Sequence, residues 1–333
     1  MLYERVLILY KGEAMEMQGI WAADAHTDFL LNVRQGRVAL DADLSLQQHV
    51  SLPALQQGQV GIQMFAAYVD QGSAQHPTVQ CLEMIDDYHR MLETWGADVI
   101  APVTAENIQT IGSSGKIGAI LSIEGGEACA GSLEVLDMYA RLGVRAMTLT
   151  WNYVNEIGVP ACLQDRTHEG LTDFGHRCVH AMNQRHMAID VSHLNIGGFW
   201  DAMEHSSQPI FASHSNARAV CNHTRNLQDE QIKAIIEAGG YIGLNFCDAF
   251  IVEEGPCTLS DLMRHALHIL ELGGEDVLGL GSDFDGIDTP PMELKGAQDF
   301  PALVDAFERA GLNRTLIEKI MYGNFVRYMQ QFV

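Results

Sequence analysis

Ala22-Ala23-Asp24-Ala25-His26-Thr27-Asp28 is the segment around which this 333-residue chain is best interpreted. An apolar run leads into a histidine and an aspartate that are two residues apart, and apolar residues follow from Phe29. Side chains two residues apart in an extended segment point to the same face, so we expect His26 and Asp28 to converge. A histidine and a carboxylate together suit a divalent metal. Alone, the pattern also fits a capping aspartate beside an ordinary histidine.

Three further strand-like segments end in a potential ligand: Ile120-Leu121-Ser122-Ile123-Glu124, Ala188-Ile189-Asp190-Val191-Ser192-His193 and Pro209-Ile210-Phe211-Ala212-Ser213-His214. Five ligands exceed what one tetrahedral zinc needs, and they suit two metals about 3.5–4 Å apart, bridged by Glu124 and a hydroxide. We predict that His26, Asp28 and Glu124 hold one metal. Glu124, His193 and His214 are predicted to hold the other.

Strand-like and helix-like segments alternate along the chain, which predicts an α/β fold. Apolar runs, as expected for parallel strands covered on both faces, predict strands near residues 20–26, 60–68, 117–124, 145–151, 187–193, 209–214, 240–246 and 277–283. Segments with helix start and stop signals lie between them, at 79–95, 132–142, 172–184, 229–238, 260–272 and from 313 onward.

Eight strands alternating with helices indicate a (β/α)8 TIM barrel with the metal site at the C-terminal rim of the strands. A doubly wound open sheet is the competing architecture, but it would not easily bring four strand ends to one point. No Gly-x-Gly-x-x-Gly follows the first strand. We predict a peripheral extension over residues 1–16 and a single metallohydrolase domain over 17–333. The irregular stretches 30–59, 69–78, 152–171 and 284–300 are expected to cover the rim and shape the substrate pocket.

The composition excludes some partners. The hydrophobic content is 47%, the charged content is 19%, and the net charge is −23. Such a charge repels phosphate backbones and anionic lipid surfaces, so we expect neither nucleic acid nor a membrane as partner. The seven cysteines are scattered without a Cys-x-x-Cys pair, which favours reduced thiols in a cytoplasmic protein.

A further acidic group lies at the end of the eighth predicted strand, in Gly279-Leu280-Gly281-Ser282-Asp283-Phe284-Asp285-Gly286. Asp283 is placed to accept a proton from the attacking water and to return it to the leaving amine. Turn chemistry is the other interpretation of Asp-x-Asp-Gly, and we favour it for Asp285.

Six motifs in this order resemble the membrane (renal) dipeptidase family, peptidase family M19, over residues 20–330: Asp24-Ala25-His26-Thr27-Asp28, Ile123-Glu124-Gly125-Gly126, Ile189-Asp190-Val191-Ser192-His193, Ser213-His214-Ser215, Arg225-Asn226 and Ser282-Asp283-Phe284-Asp285-Gly286. The resemblance implies a (β/α)8 barrel with two zinc ions per chain, held by the five ligands already predicted. It also implies hydrolysis of dipeptides, including ones with a C-terminal D-residue, and a homodimer. The resemblance also implies the acid/base role for Asp283 and the binding of the substrate carboxylate for Arg225.

The chain departs from the mammalian enzyme after its fourth predicted strand. Where that enzyme has a substrate-polarising histidine, this sequence has Trp151, followed by Asn152. An indole offers only an N–H donor, so we expect oxyanion support that is weaker, that comes from Asn152 or a metal, or that suits another substrate. The apolar body of Trp151 is expected either to line the pocket and pack against a substrate side chain or to pack in the barrel core.

Together with the resemblance, the sequence predicts a zinc-dependent dipeptidase that uses a metal-bridging hydroxide and an aspartate general acid/base. The resemblance extends its substrates to L-Xaa-D-Xaa dipeptides, and the L/D preference stays open. A deacylase of N-acyl amino acids or a cyclic-amide hydrolase with the same binuclear site is the alternative. A barrel that keeps metals without catalysis is a third reading, and the presence of Asp283 beside all five ligands argues against it.

Overall fold

The computed structural model describes residues 19–40 and 48–333, and a closed parallel barrel organises them. The strands are β1 (Ala22–Asp24), β2 (Val60–Tyr68), β3 (Ile100–Pro102), β4 (Ile117–Glu124), β5 (Val144–Thr148), β6 (Ala188–Asp190), β7 (Phe211–Ala212), β8 (Tyr241–Leu244) and β9 (Leu278–Leu280). They pair in the order β2-β1-β9-β8-β7-β6-β5-β4, and β4 pairs with β2 to close the ring. The predicted (β/α)8 barrel is confirmed, and the open sheet is excluded.

Helices surround the barrel, as the alternating pattern predicts. The α-helices are Phe29–Arg34, Leu52–Gln57, Pro77–Trp95, Leu133–Arg141, Asp173–Gln184, Ile196–His205, Asp229–Ala238, Asp248–Ile251, Leu259–Glu271, Phe300–Arg309, Arg314–Glu318 and Asn324–Met329. Short 3-10 turns lie at Gly112–Ser114, Gly126–Cys129, Gln164–Arg166, Gly274–Asp276 and Ala297–Asp299, and Lys319–Gly323 forms a π-helical turn. Several helices begin at caps that the sequence marks. The side chains of Thr172 and Asn313, for example, accept hydrogen bonds from the first turns.

The C-terminal segment closes the lower end of the barrel. The Phe325 ring lies 5.2 Å from the Tyr241 ring, and the Tyr328 ring lies 5.0 Å from the Phe211 ring. Tyr241 and Phe211 are the first residues of β8 and β7, so these contacts cover the N-terminal ends of the strands. The opposite, C-terminal ends remain available for a site, as in other barrels of this kind.

Three details of the sequence interpretation were wrong. Most predicted strands run too far, because β1, β5, β6, β7, β8 and β9 end two or three residues before the predicted bounds. The stretch 30–59, predicted to be irregular, contains Leu52–Gln57 and most of Phe29–Arg34. The short strand β3 beside β4 was not predicted. The predicted extension over residues 1–16 lies outside the described residues, so the domain boundary stays a prediction.

No helix in residues 19–40 and 48–333 is both long and apolar enough to cross a membrane.

Candidate metal centre

The first three predicted ligands meet at the C-terminal rim of β1 and β4. His26 Nε2 lies 3.5 Å from Asp28 Oδ2 and 3.5 Å from Glu124 Oε2. Glu124 is the last residue of β4, whereas His26 follows the end of β1 by two residues. The loop stays close to the barrel because Thr27 pairs with Phe284 beyond the end of β9. The predicted convergence of His26 and Asp28 is therefore present in the structure.

The second group meets on the other side of Glu124. Its other carboxylate oxygen, Oε1, lies 3.1 Å from His193 Nε2 and 3.5 Å from His214 Nε2. The two imidazole Nε2 atoms are 3.1 Å apart. The side chains of all five predicted ligands are buried. Each oxygen of the Glu124 carboxylate therefore faces a different group of predicted ligands.

Asp283 joins this cluster from the loop after β9. Its Oδ1 lies 3.8 Å from His26 Nε2, and its Oδ2 accepts a hydrogen bond of 2.9 Å from Asn245 Nδ2. Asp283 and His193 both have left-handed backbones, with φ values of 61° and 66°. Non-glycine residues in this region are uncommon and cluster at functional sites.

Burial and the charges of neighbouring groups, both opposite and like, set the pKa values of the cluster. Burial lowers the pKa of His193 to about 4, and the Arg225 guanidinium acts in the same direction. Burial also lowers the pKa of His214. Desolvation raises the pKa of Asp283 to about 7, although the nearby His26 opposes the rise. Burial and the neighbouring Glu124 carboxylate raise the pKa of Asp28.

The donor set fits divalent cations. His26 Nε2 and Asp28 Oδ1 are buried and have no hydrogen-bond partner within the described residues. His193 and His214 are held neutral by burial, and they direct Nε2 atoms at each other across 3.1 Å. Facing nitrogen lone pairs and unpartnered buried acceptors are unfavourable in a low-dielectric interior unless a positive charge lies among them. Imidazole and carboxylate are ligands that zinc accepts.

A buried carboxylate next to the cluster positions His214. Asp190 Oδ1 accepts hydrogen bonds from the backbone N–H groups of Ser192 and Ser213, and Oδ2 accepts one of 2.5 Å from Ser213 Oγ. Because that hydroxyl donates to Asp190, His214 Nδ1–H donates to Ser213 Oγ at 2.6 Å. This tautomer leaves the Nε2 lone pair directed at Glu124 and the metal position.

Asn152 positions His193 in the same way. Its Oδ1 lies 3.1 Å from His193 Nδ1 and accepts the ring N–H, because an amide oxygen is only an acceptor. The sequence interpretation placed Asn152 against the substrate, and the structure places it both on the cleft and against the predicted ligand His193. The positioning contacts of Asp190 and Ser213 were missed, although polar residues inside apolar strand segments were a visible signal.

Removing the Ser213 hydroxyl should weaken metal binding without removing a ligand. We expect Ser213→Ala to lower zinc affinity by roughly 10–100-fold, because His214 would lose the contact that sets its tautomer. Competition with a chromophoric chelator measures the affinity. Ser113→Ala is the matched control, since Ser113 is exposed and donates only to a local backbone carbonyl. Equal affinities of Ser213→Ala and the wild type would exclude the positioning role.

A cleft of about 390 Å³ opens over the cluster and contains Trp151. Its other lining residues include Asp28, Tyr68, Glu124, Asn152, His193, Cys247, Phe250 and Asp283. The Trp151 ring packs edge-on against Tyr68 at 4.8 Å and lies 6.3 Å from the His193 ring. Trp151 is partly exposed and lies on the cleft wall, the first of the two positions expected for it, and its contact with substrate stays a prediction.

Arg225 is buried beside the cluster but does not line this cleft. Its terminal nitrogen donates to the His214 backbone carbonyl at 3.3 Å, and its guanidinium lies over the Phe250 ring at 5.4 Å. Arg225 Nε has no partner among the described residues. The side chain lines a neighbouring cavity that shares His193 with the cleft. The structure thus brings Arg225 close to the cluster from a second side.

Two polar residues outside the ligand cluster have local partners. Asp285 Oδ1 accepts a hydrogen bond from the His49 backbone N–H, in keeping with a loop role. His265, one turn from His268, is fully buried and forms hydrogen bonds with the backbone groups of Ala217 and Ile251.

Comparison with known proteins identifies the family. The model of the membrane dipeptidase family (peptidase family M19) matches residues 15–332. An uncharacterized dipeptidase of Schizosaccharomyces pombe is 33% identical over 329 residues, which cover 91% of this chain and 78% of that protein.

Two solved structures share the whole fold. Dipeptidase AC, a metallopeptidase of family M19, superposes with a TM-score of 0.88 at 29% identity, covering 94% of this chain and 98% of that chain. A metallopeptidase from Rhodobacter sphaeroides, bound to a phosphinate mimic of the dipeptide L-Ala-D-Ala, gives a TM-score of 0.87 at 28% identity, with coverages of 94% and 99%. The chain therefore belongs to the membrane dipeptidase family, peptidase family M19, and is a metal-dependent dipeptidase, as its sequence predicts.

Proposed function

We propose that this protein hydrolyses the peptide bond of L-Xaa-L-Xaa and L-Xaa-D-Xaa dipeptides with two zinc ions per chain. One observation carries the binuclear assignment: Glu124 directs Oε2 at His26 and Oε1 at His193 and His214. A carboxylate with each oxygen in a different ligand group can bridge two cations. The L-Ala-D-Ala mimic bound by the Rhodobacter sphaeroides relative supports including a C-terminal D-residue.

Some side chains would hold the metals, and others position those ligands. His26, Asp28 and Glu124 would hold one cation, and Glu124, His193 and His214 would hold the other. When bound, such a pair lowers the pKa of a water molecule and polarises a carbonyl oxygen. Asn152 and Ser213 keep the Nε2 atoms of His193 and His214 free for this task.

Asp283 is proposed as the general acid/base. Asn245 occupies Oδ2, so Oδ1 is the oxygen that faces the cluster and the cleft. From that position it would take a proton from the attacking water and deliver it to the departing amine nitrogen. Burial keeps bulk water from competing for the same proton.

The cleft suits a small substrate. Its volume of about 390 Å³ lies near the lower end of the range for small-molecule sites, which favours a dipeptide over a longer chain. The aromatic wall of Tyr68 and Trp151 would pack against a substrate side chain. Asn152, whose Oδ1 is engaged with His193, would offer its amide N–H to the substrate.

Arg225 is proposed to bind the free C-terminal carboxylate of the dipeptide. Its buried and unpartnered Nε–H, beside a terminal N–H group, offers the two-pronged geometry that pairs with a carboxylate. We expect Arg225→Lys to raise KM for free dipeptides by roughly tenfold or more, because an ammonium cannot reproduce that geometry. Steady-state kinetics on a free dipeptide and on its C-terminal amide measure the effect. Equal losses on both substrates would remove Arg225 from the carboxylate site.

A deacylase or a cyclic-amide hydrolase would use the same metals with a different pocket. The discriminating experiment is a panel of L,L and L,D dipeptides, N-acetyl amino acids and a cyclic dipeptide, assayed with zinc and with chelator. Zinc-dependent release of amino acids from free dipeptides alone supports the proposal. Preferred hydrolysis of the N-acetyl or cyclic compounds would replace it with the alternative.

We also propose a cytoplasmic location and retain a homodimer as an expectation from the family. All seven cysteines are free thiols in the structure, and most are buried, which suits a reducing compartment. The net charge of −23 supports a small-molecule substrate over nucleic acid or a membrane surface.

A further inference from the structure

A second cavity, of about 260 Å³, adjoins the metal cleft, and we name it the arginine cavity. His193 lines both spaces, so the arginine cavity begins on the far side of a predicted metal ligand. Its polar lining includes Ser215, Arg218, Thr224, Arg225, Asn226 and Gln228. The volume is smaller than that of most sites for a whole small molecule, and it fits one part of a ligand held in the cleft.

The charge of the arginine cavity is opposite to that of the protein. The chain has 43 acidic and 20 basic residues, yet the lining includes two arginines and no aspartate or glutamate. Neither Arg218 nor Arg225 has a carboxylate within ion-pair distance in the described part of the chain. Buried or half-buried arginines normally pair with the protein's own acidic groups. Two arginines without such a partner, in a chain this acidic, indicate that the arginine cavity binds an anion from outside the protein.

Buried donors in the arginine cavity have no partner in the protein. Ser215 Oγ and Arg225 Nε lack hydrogen bonds within the described residues, although Ser215 is 2% exposed and Arg225 is 7% exposed. Unsatisfied buried donors are rare in folded proteins and are expected where a ligand completes them. Arg218 Nε donates to Asn222 Oδ1 at 3.0 Å, which holds the side chain and leaves its terminal N–H groups available.

We propose that the arginine cavity receives an acidic side chain on the C-terminal residue of the substrate. Arg225 would bind the main-chain carboxylate, and Arg218 would bind the carboxylate of an aspartyl or glutamyl side chain. The inference rests on the proposed dipeptidase function and adds a substrate class to it. It makes Arg218 a determinant of specificity that no sequence motif marks.

The test compares pairs of dipeptides that differ in one charge, L-Ala-D-Glu with L-Ala-D-Gln and L-Ala-L-Glu with L-Ala-L-Gln. We expect the zinc-loaded wild type to show a higher kcat/KM for the glutamyl member of at least one pair. Arg218→Gln should lower that glutamyl-to-glutaminyl ratio by about tenfold or more, since it removes a charge-assisted contact. Arg309→Gln, in an exposed helix end away from the cavity, is the matched control and should keep the wild-type ratio.

The outcomes distinguish the proposed role of the arginine cavity from the proposed dipeptidase function. Hydrolysis of both members with no glutamyl preference, or a preference that survives Arg218→Gln, overturns this inference and leaves the dipeptidase function intact. No hydrolysis of any dipeptide overturns both. If inorganic phosphate changes the rate on L-Ala-D-Gln without competing with substrate, and no glutamyl preference exists, the cavity is a site for a free anion and the inference is wrong.

Discussion

Replacing Asp283 with asparagine should lower kcat on a dipeptide by roughly 10²–10⁴-fold while the protein keeps its metals. The amide has nearly the same shape as the carboxylate but cannot take up and release a proton. Asparagine also tolerates the left-handed backbone that this position requires, at φ 61°, so the loop should keep its structure. Steady-state kinetics and elemental analysis of the same preparation measure the two quantities.

Asp285→Asn in the same loop is the matched control for Asp283→Asn. Asp285 also has a left-handed backbone, but its carboxylate binds the His49 backbone and takes no part in the ligand cluster. We expect this variant to retain wild-type kcat within a few-fold. If Asp283→Asn also remains within a few-fold of the wild type, another group transfers the proton and Asp283 is a turn residue.

The second large effect is expected at Glu124. Glu124→Gln should abolish turnover and lower zinc affinity by more than the roughly 10–100-fold typical of residues that only support a ligand. Its two oxygens face separate ligand groups, and glutamine keeps only one of them as a neutral amide oxygen, so the substitution removes the ligand atom of one position and weakens that of the other. The negative charge that would offset two adjacent cations is lost as well. Zinc titration followed by chelator competition measures the affinity of each equivalent.

Glu127→Gln offers a control for Glu124→Gln in the same segment. Glu127 is also buried, but its Oε2 accepts a hydrogen bond from Asn155 Nδ2 and it lies outside the three groups of potential ligands. The Glu127→Gln variant should bind zinc with the same affinity as the wild type. Two firmly bound zinc equivalents in Glu124→Gln would contradict the bridging assignment. An unchanged melting temperature of Glu124→Gln would show that any loss of zinc affinity does not come from unfolding.

The barrel and the ligand cluster could be predicted because a histidine or carboxylate follows or ends the apolar runs of four strands in the sequence. β2 and β4 have the predicted bounds, since the two strands pair with each other from Ile62 to Tyr68 and from Gly118 to Glu124. At β6 and β7 the predicted strands extend too far, because the ladders end at Asp190 and Ala212, whereas the prediction extended both strands to the histidines. The ligands His193 and His214 therefore lie three and two residues beyond their strands. The predicted ligands still converge, because a barrel brings the C-terminal ends of its strands to one rim. An error of two or three residues in strand length does not change that.

What the sequence could not show depends on contacts between distant segments. Asp190 was quoted in a motif, yet its role requires Ser213 to come within 2.5 Å from the neighbouring strand. Arg225 was expected at the substrate carboxylate, but only packing against Phe250 and His193 shows that it lines a cavity separate from the main cleft. The helix Leu52–Gln57 was taken for a loop because its six residues are too few to show helical periodicity.

The most direct test of a binuclear dipeptidase is to titrate metal-free protein with zinc and to measure L-Ala-D-Ala hydrolysis at each step. We predict almost no turnover without metal, a rise in rate with added zinc, and a plateau at about two equivalents per chain. A plateau at one equivalent would contradict the bridged pair, and equal rates in zinc and in chelator would contradict metal-dependent hydrolysis altogether.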